Sequence, residues 1–367
     1  MAIPDHRTYL DYNATAPVLP EVIDSVAEAL SVTGNPSSVH RDGRLSKAII
    51  EDSRDQVAKM IGVNPSVVTF CSGATEANTT IILGLQNTGV VNDVFCSSIE
   101  HPSVLELVPG TNHIPVHPTG ELSLDALRAT LADVKPPFLF CLMLANNETG
   151  VIQPTHEAID IVHQLGGFIL CDSVQGPGKL NQSSFPIEAD FLTFSAHKIG
   201  GPQGVGCFVN HLSEQVKPLI IGGGQERFMR AGTENVSGIA GFGTAAQLVN
   251  AQSNLMAIED LRNRLEAKIR EIRPDAVIFG EDRPRLPNTT CVALEGMSNE
   301  RQIMKLDLSG YSVSAGAACS SGKVAISHVL KAMAVDDDLA GSAIRISIGR
   351  NTVWSELEDF LKVWAEL

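Results

Sequence analysis

The chain has 367 residues, 44% hydrophobic and 19% charged, which supplies ample material for a sizeable core and argues against disorder. At about 150 residues per domain, that length predicts two domains, or one large α/β unit with an appendage. Set against 42 Asp and Glu, the 27 Lys and Arg leave a formal charge of −15, which argues against nucleic acid or an anionic membrane surface as the main partner. No stretch of about 18 uncharged apolar residues is present, so no membrane-spanning helix is expected. The opening MAIPDHRTYLDYN has neither an apolar h-region nor an Arg/Ser-rich amphipathic stretch. Seven cysteines, at 71, 96, 141, 171, 207, 291 and 319, form no CxxC pair, and an odd number fits poorly with a complete disulfide framework. A reducing, cytoplasmic setting without a metal cluster is the expectation.

From about residue 65 to 210, short apolar runs alternate with helical patterns. The runs VVTFC (67–71), DVFCS (93–97), FLFCLML (138–144), GFILCD (167–172), DFLTFS (190–195) and VGCFV (205–209) read as strands. Several are apolar throughout, as expected for strands covered on both faces. Helices are predicted between them at Glu76–Gln86, Leu124–Leu131 and Thr155–Leu165. This rhythm predicts a mostly parallel sheet with helices on both faces, whose ligand site lies beyond the carboxyl ends of the strands. After Gly224 the pattern changes to a long helical region (about 236–272), strands near 276–279, 289–294 and 343–348, and helices near 299–309 and 354–366. These form a smaller α+β domain. The predicted division is 16–250 for the large domain, with 1–15 and 251–367 making the small one.

Three strand ends carry chemistry. VVTFC runs into Ser72-Gly73-Ala74-Thr75-Glu76. A glycine turn opening a helix presents free N–H groups and a positive dipole end, and the Thr75 hydroxyl adds a donor, which suits a phosphate; a plain capped helix start reads the same way. Asp172 ends GFILCD, with Gln175 three residues on. A carboxylate there needs a partner, either the protonated ring nitrogen of a pyridine cofactor or a neighbouring loop amide. DFLTFS ends at Ser195 and leads to His197-Lys198, where a lysine suits a Schiff base with a carbonyl cofactor, although a lone lysine is more often surface decoration. A phosphate turn, an Asp and a Lys at one sheet edge are together the parts that pyridoxal phosphate requires.

Further residues lie at or near the same edge. His101 follows DVFCS, where an imidazole could cover a cofactor ring and move protons, or simply start a helix beside Pro102. Asn146-Asn147-Glu148-Thr149-Gly150 follows FLFCLML as either a site segment or a turn. Cys319 sits in the small-residue run AGAACSSG, which cannot build a core, so its thiol is a nucleophile candidate or a tolerated free cysteine. The other six cysteines lie in or beside apolar runs and read as buried small hydrophobes. Arg345, inside the strand IRISI, needs a carboxylate from the protein or from a substrate.

YLDYNATAP, GNPSSVH, SGATEAN, EHPSV, NNETG, DSVQ, SAHKIGGPQGVG, RAGTENV, AGAACSSG and IRISIGR follow in order along nearly the whole chain. In these motifs the sequence resembles the cysteine desulfurases of the NifS/IscS-like branch, class V, fold-type I pyridoxal-phosphate enzymes. The resemblance implies a large domain on a seven-stranded-type sheet and a homodimer. It assigns Lys198 to hold the cofactor and Asp172 to pair with its pyridine nitrogen. Gln175 would bond the phenolic oxygen, and His101 would stack over the ring. Ala74, Thr75, Ser195 and His197 would bind the phosphate, as would Thr233 of the other subunit. Asn35, Asn147 and Arg345 would bind L-cysteine, with Asn147 also near the cofactor. Lys198 would remove the Cα proton, His101 would shuttle protons, and Cys319 would take the sulfur as a persulfide for an iron–sulfur scaffold or another acceptor.

Some features depart from the family pattern. Lys323 and Ala325 are unusual after Cys319, and the chain ends soon after GRNT, which touches the choice of acceptor rather than the chemistry. A selenocysteine or cystine lyase, or another class V aminotransferase, would share Lys198, Asp172 and His101 without needing Cys319. A non-catalytic sulfur carrier on the same fold would need none of the cofactor residues.

Overall fold

The computed structural model describes residues 7–212, 215–252, 254–315 and 326–367. Among the described residues twelve strands form in chain order: β1 (Thr8–Tyr9), β2 (Val68–Cys71), β3 (Val94–Ser97), β4 (His113–Ile114), β5 (Leu139–Met143), β6 (Phe168–Asp172), β7 (Phe191–Ser195), β8 (Gly206–Asn210), β9 (Val277–Ile278), β10 (Thr289–Ala293), β11 (Tyr311–Ser312) and β12 (Ala343–Ser347). Each apolar run from VVTFC to VGCFV becomes a strand of one seven-stranded sheet, ordered β2-β8-β7-β6-β5-β3-β4. The sheet is mostly parallel; only β8 runs against its neighbours, antiparallel to both β2 and β7. Because β5, β6, β7 and β8 are buried at almost every residue, their continuous apolar sequences follow from coverage on both faces.

Two apolar layers flank this sheet. One gathers residues from Leu19 to Val249, including Phe70, Phe138, Phe140 and Phe194, and the other centres on Ile81, Leu85, Phe191 and Phe208. Fully burying one such side chain contributes about 1.5–3 kcal/mol over leaving it exposed. The predicted helices form at Ala74–Thr88, Leu124–Leu131 and Thr155–Gln164. Two helices that the sequence reading did not assign, Pro20–Ser31 and Arg41–Ile61, pack against Val236–Gln252. The expected helical region 236–272 is two helices, the second being Leu255–Ile272, capped by the Asn254 side chain, which accepts from Ala257 N at 3.2 Å.

A smaller antiparallel sheet, β12-β10-β9, and the parallel pair β1-β11 build on a separate core of Leu10, Leu265, Ile269, Ile344, Phe360 and Trp364. Its helices Asn299–Leu308 and Trp354–Ala365 fall where the sequence predicts them. Among the described residues no helix is long and apolar enough to cross a membrane.

Candidate active site

The sheet brings the strand ends together. Asp172 of β6 lies in register with Thr193 of β7, and β7 continues through Ser195 into a short turn carrying His197 and Lys198. β2 ends at the same edge, and its turn passes close to β7. Gly73 sits at φ +155°, a backbone that side-chain-bearing residues rarely adopt, and Ala74 N donates to Ser195 Oγ at 2.9 Å. A Cβ on Gly206 of the intervening β8 would lie 2.7 Å from the Gly73 Cα, so glycine there is a condition of the close approach. The helix Ala74–Thr88 thus begins, with no side-chain cap, at the wall of a cleft of about 480 Å³.

That cleft is lined by Ala74, Thr75, His101, Asn147, Asp172, Gln175, Ser195, His197, Lys198 and Arg345. The structure therefore unites ten of the predicted site residues from six segments of chain. Two predicted residues fall elsewhere. Asn35 is exposed and its side chain accepts from Ser37 N at 2.9 Å, while Thr233 is also exposed; neither is among the residues lining the cleft of its own chain. Cys319 lies outside the described residues.

Lys198 Nζ donates to Asn13 O at 2.6 Å and to Ala14 O at 2.9 Å. Burial, with Arg345 nearby, lowers its pKa from the ordinary value to about 8, opposed by Asp172 and Asp11. Asp172 is half-buried; Oδ2 accepts from Asn78 Nδ2 at 3.0 Å and Oδ1 from Val174 N at 3.2 Å. Asn78 is itself fixed by Thr193 Oγ1, which donates to its Oδ1 at 2.9 Å. His197 contacts Thr15 Oγ1 through Nδ1 at 3.1 Å, and burial followed by the charges of Lys198 and Lys179 lowers its pKa to about 4, so it is neutral at neutral pH.

His101 faces the open cleft, yet the surrounding protein lowers its pKa, as do Lys198 and His328, against the pull of Asp172. Its Nδ1 accepts from Ser103 N at 3.1 Å, which assigns the ring proton to Nε2. Arg345 is buried in β12. It pairs with Asp11 Oδ1 at 2.7 Å and donates to Asn147 O at 2.9 Å, so the carboxylate that the sequence requires comes first from the protein. Its Nε is buried with no hydrogen-bond partner.

Three residues without an assigned role also shape the site. Asn13 supplies the carbonyl shared by Lys198 and Gln175, Asn78 supports Asp172, and Lys179 contacts Gln175. Asn13 and Asn78 lie within the motifs YLDYNATAP and SGATEAN; no local signal marks Lys179.

The donor set matches the demands of a phosphorylated pyridine aldehyde. An uncapped helix start and Ser195 suit the phosphate, Asp172 suits a protonated ring nitrogen, and Lys198 suits the aldehyde. Among the described residues no group of three or more His, Cys, Asp or Glu is placed to hold a metal ion.

Residues 8–360 match the family model for aminotransferase class-V. A cysteine desulfurase of Cereibacter sphaeroides is 39% identical, with 97% of this chain and 94% of that protein aligned. One from Enterobacter agglomerans is 36% identical, over 96% and 90%. The X-ray structure of a NifS-like protein from Rickettsia africae ESF-5 superposes with a TM-score of 0.88 at 34% identity, covering 98% of this chain and 99% of that one. A cleft that gathers a glycine turn opening a helix, an acid and a desolvated lysine, on a chain aligned over more than nine-tenths of its length with these proteins, leads to one conclusion: the chain belongs to the class-V aminotransferase family and, within it, to the cysteine desulfurases.

Proposed function

We propose that this cleft binds pyridoxal 5′-phosphate and L-cysteine, releases L-alanine, and leaves the sulfur on Cys319 as a persulfide for a protein acceptor, in an iron–sulfur or other sulfur-using pathway. The observation that carries this reading is the convergence of Lys198, Asp172 and the Ala74–Thr75 turn on one cleft. When bound, the cofactor supplies a carbonyl for amines and an electron-accepting ring.

The residues divide the remaining work. Ala74 N, Thr75, Ser195 and neutral His197 would hold the phosphate, Asp172 would pair with a protonated pyridine nitrogen, and Gln175 would bond the phenolic oxygen. Arg345 and Asn147, which both line the cleft, would take the substrate carboxylate. With its pKa lowered to about 8, Lys198 Nζ would be the base for the Cα proton, and His101, protonated at Nε2, would move protons within the cleft. As its thiolate, Cys319 attacks the substrate sulfur; an S–S bond forms as the C–S bond breaks, and the electron pair left on carbon takes a proton to complete alanine. One cysteine and one protein thiol thus become one alanine and one persulfide. The test is alanine production from L-cysteine with a thiol reductant present. More than one alanine per site is expected; none from protein holding the cofactor overturns the proposal.

The reading includes a homodimer in which Asn35 and Thr233 serve the partner's site. Support comes from their placement: the adjacent Pro36, Ser37 and Glu234 line a common pocket with Gln225–Arg227, away from their own cleft. The turn there holds Glu226, Arg227 and Phe228 at positive φ, a strain of about 1–3 kcal/mol per residue, and the buried Arg54–Glu226 ion pair at 2.7 Å holds it in place. The strained turn displays Phe228, 74% exposed, an apolar side chain suited to contact with a second copy. Sedimentation equilibrium is expected to give twice the chain mass, and the mass of one chain would refute this.

Two further readings stand beside it. The division into 16–250, and 1–15 with 251–367, is supported by one core running from Leu19 to Val249 and another joining Leu10 to Ile258–Trp364. A cytoplasmic setting is supported by the six described cysteines, all free and buried.

A further inference from the structure

We infer that Lys179, a residue outside the reacting groups, is the positioning residue that fixes which end of the Gln175 amide meets the cofactor. This rests on the reading of Gln175 as the partner of the phenolic oxygen. Lys179 is 7% exposed and Gln175 is 5% exposed, so both polar groups have been taken out of water. Lys179 Nζ donates to Gln175 Oε1, and Gln175 Nε2 donates to Asn13 O at 3.2 Å. Asn13 O in turn accepts from Lys198 Nζ. One chain of hydrogen bonds therefore runs from Lys179 through Gln175 to the carbonyl that also holds the aldehyde-binding lysine.

The chemistry of the donor decides the orientation. An amide can turn over and present either oxygen or nitrogen, and packing alone scarcely distinguishes the two. An ammonium has three donors and no acceptor, so the amide oxygen must face Lys179. The NH₂ end is then the only one available to the cleft, and an NH₂ is what an anionic phenolate oxygen needs. With the amide reversed, two oxygens would face each other and two donors would meet at Lys179.

Burial of Lys179 lowers its pKa well below the ordinary value, with Lys198 and Arg345 adding to the effect. An anionic cofactor in the cleft would act in the opposite direction and favour the ammonium. A cavity of about 70 Å³ lined by Lys179, Lys198, Tyr12, Asn288 and Arg350 lies beside this chain and leaves room for a longer cation at position 179.

The test uses cofactor-free protein and titrates it with pyridoxal phosphate, reading the affinity from the visible absorbance, with the melting temperature of each variant measured alongside. Four variants are needed: Lys179→Met, Lys179→Arg, Gln175→Ala, and Lys179→Met combined with Gln175→Ala. Lys179→Met is expected to weaken cofactor binding about tenfold, the worth of one buried hydrogen bond, without lowering the melting temperature of the cofactor-free protein. Lys179→Arg restores binding to within about twofold, since it keeps a cationic donor. In the Gln175→Ala background, adding Lys179→Met causes no further loss, because the residue acts through the amide.

Wild-type affinity in Lys179→Met overturns the inference, as does an equal further loss in the Gln175→Ala background. A lower melting temperature with unchanged affinity would mark a purely structural lysine and also overturn it. Should Lys179→Met fail to fold, Lys179→Gln, which can face the amide with either end, replaces it with the same expected loss. If Gln175→Ala alone binds the cofactor as wild type does, the reading of Gln175 fails first and this inference with it.

Discussion

Replacing Lys198 with alanine is expected to abolish covalent capture of pyridoxal phosphate and to lower alanine formation by at least about three orders of magnitude. In the proposed function the lysine acts as amine for the cofactor carbonyl and as base for the Cα proton, and its environment suits both. An ordinary lysine is almost wholly protonated at neutral pH, and an ammonium is neither a nucleophile nor a base. Burial at the end of β7, reinforced by Arg345, brings the Lys198 pKa to about 8, so about a tenth of the amine is neutral at pH 7. Uptake of added cofactor by the cofactor-free protein is therefore expected to quicken as pH rises from 7, to be half-maximal near 8 and to level off above about 9. Lys198→Arg keeps the charge and loses the amine, so it should fail as alanine does. Absorbance of the bound cofactor, read on both variants, is the measurement; a variant that still forms alanine at the wild-type rate removes Lys198 from the mechanism.

Much of this arrangement was legible in the sequence, for a specific physical reason. Strands covered on both faces must be apolar throughout, so a polar residue that interrupts or ends one stands out, as Asp172 and Ser195 do. Their place at one edge followed from a mostly parallel sheet, and the structure adds that β8 runs the other way between β2 and β7, with Gly206 thin enough for the Gly73 turn to reach Ser195. The helices Pro20–Ser31 and Arg41–Ile61 were not assigned. What stabilises them is packing against Val236–Gln252, which is remote in sequence.

The same remoteness hid the supporting residues. Asn78 meets Asp172 across 94 positions, and Asn13 meets Lys198 across 185, contacts that only the folded sheet creates. The Arg345–Asp11 pair spans 334 positions. The sequence demanded a carboxylate for this arginine but could not say whether protein or substrate would provide it. The structure supplies one from the protein and still leaves Nε without a partner. Asn35 and Thr233 show a different limit: a motif does not fix whether its residues reach the cleft of their own chain, and these two do not line it.

Exchanging Cys319 for alanine is expected to leave cofactor binding and its absorbance unchanged while alanine formation falls by about two to three orders of magnitude. Elimination is one part of the argument. The six described cysteines are all buried, and burial raises every one of their thiol pKa values, to about 12 for Cys71 and Cys291. A thiol held neutral in an apolar wall cannot serve as a thiolate, and none of the six lines the cleft. Reach is the other part. Ser314 lines the cleft and is tied to β12, with Arg345 N donating to Ser314 O at 2.6 Å. On the far side of residues 316–325, the Ser327 hydroxyl donates to buried Glu148, and His328 Nε2 lies 2.9 Å from Glu100 O, beside His101. Cys319 is five residues from Ser314, and five residues of extended chain span about 17 Å, so a thiol at that position can meet a substrate in the cleft. After one turnover without reductant, intact wild-type protein should gain the mass of one sulfur, and Cys319→Ala should gain none. A Cys319→Ala enzyme that forms alanine at the wild-type rate would mean that sulfur leaves without passing through the protein, as in a lyase; loss of alanine with the cofactor still bound fixes Cys319 as the acceptor.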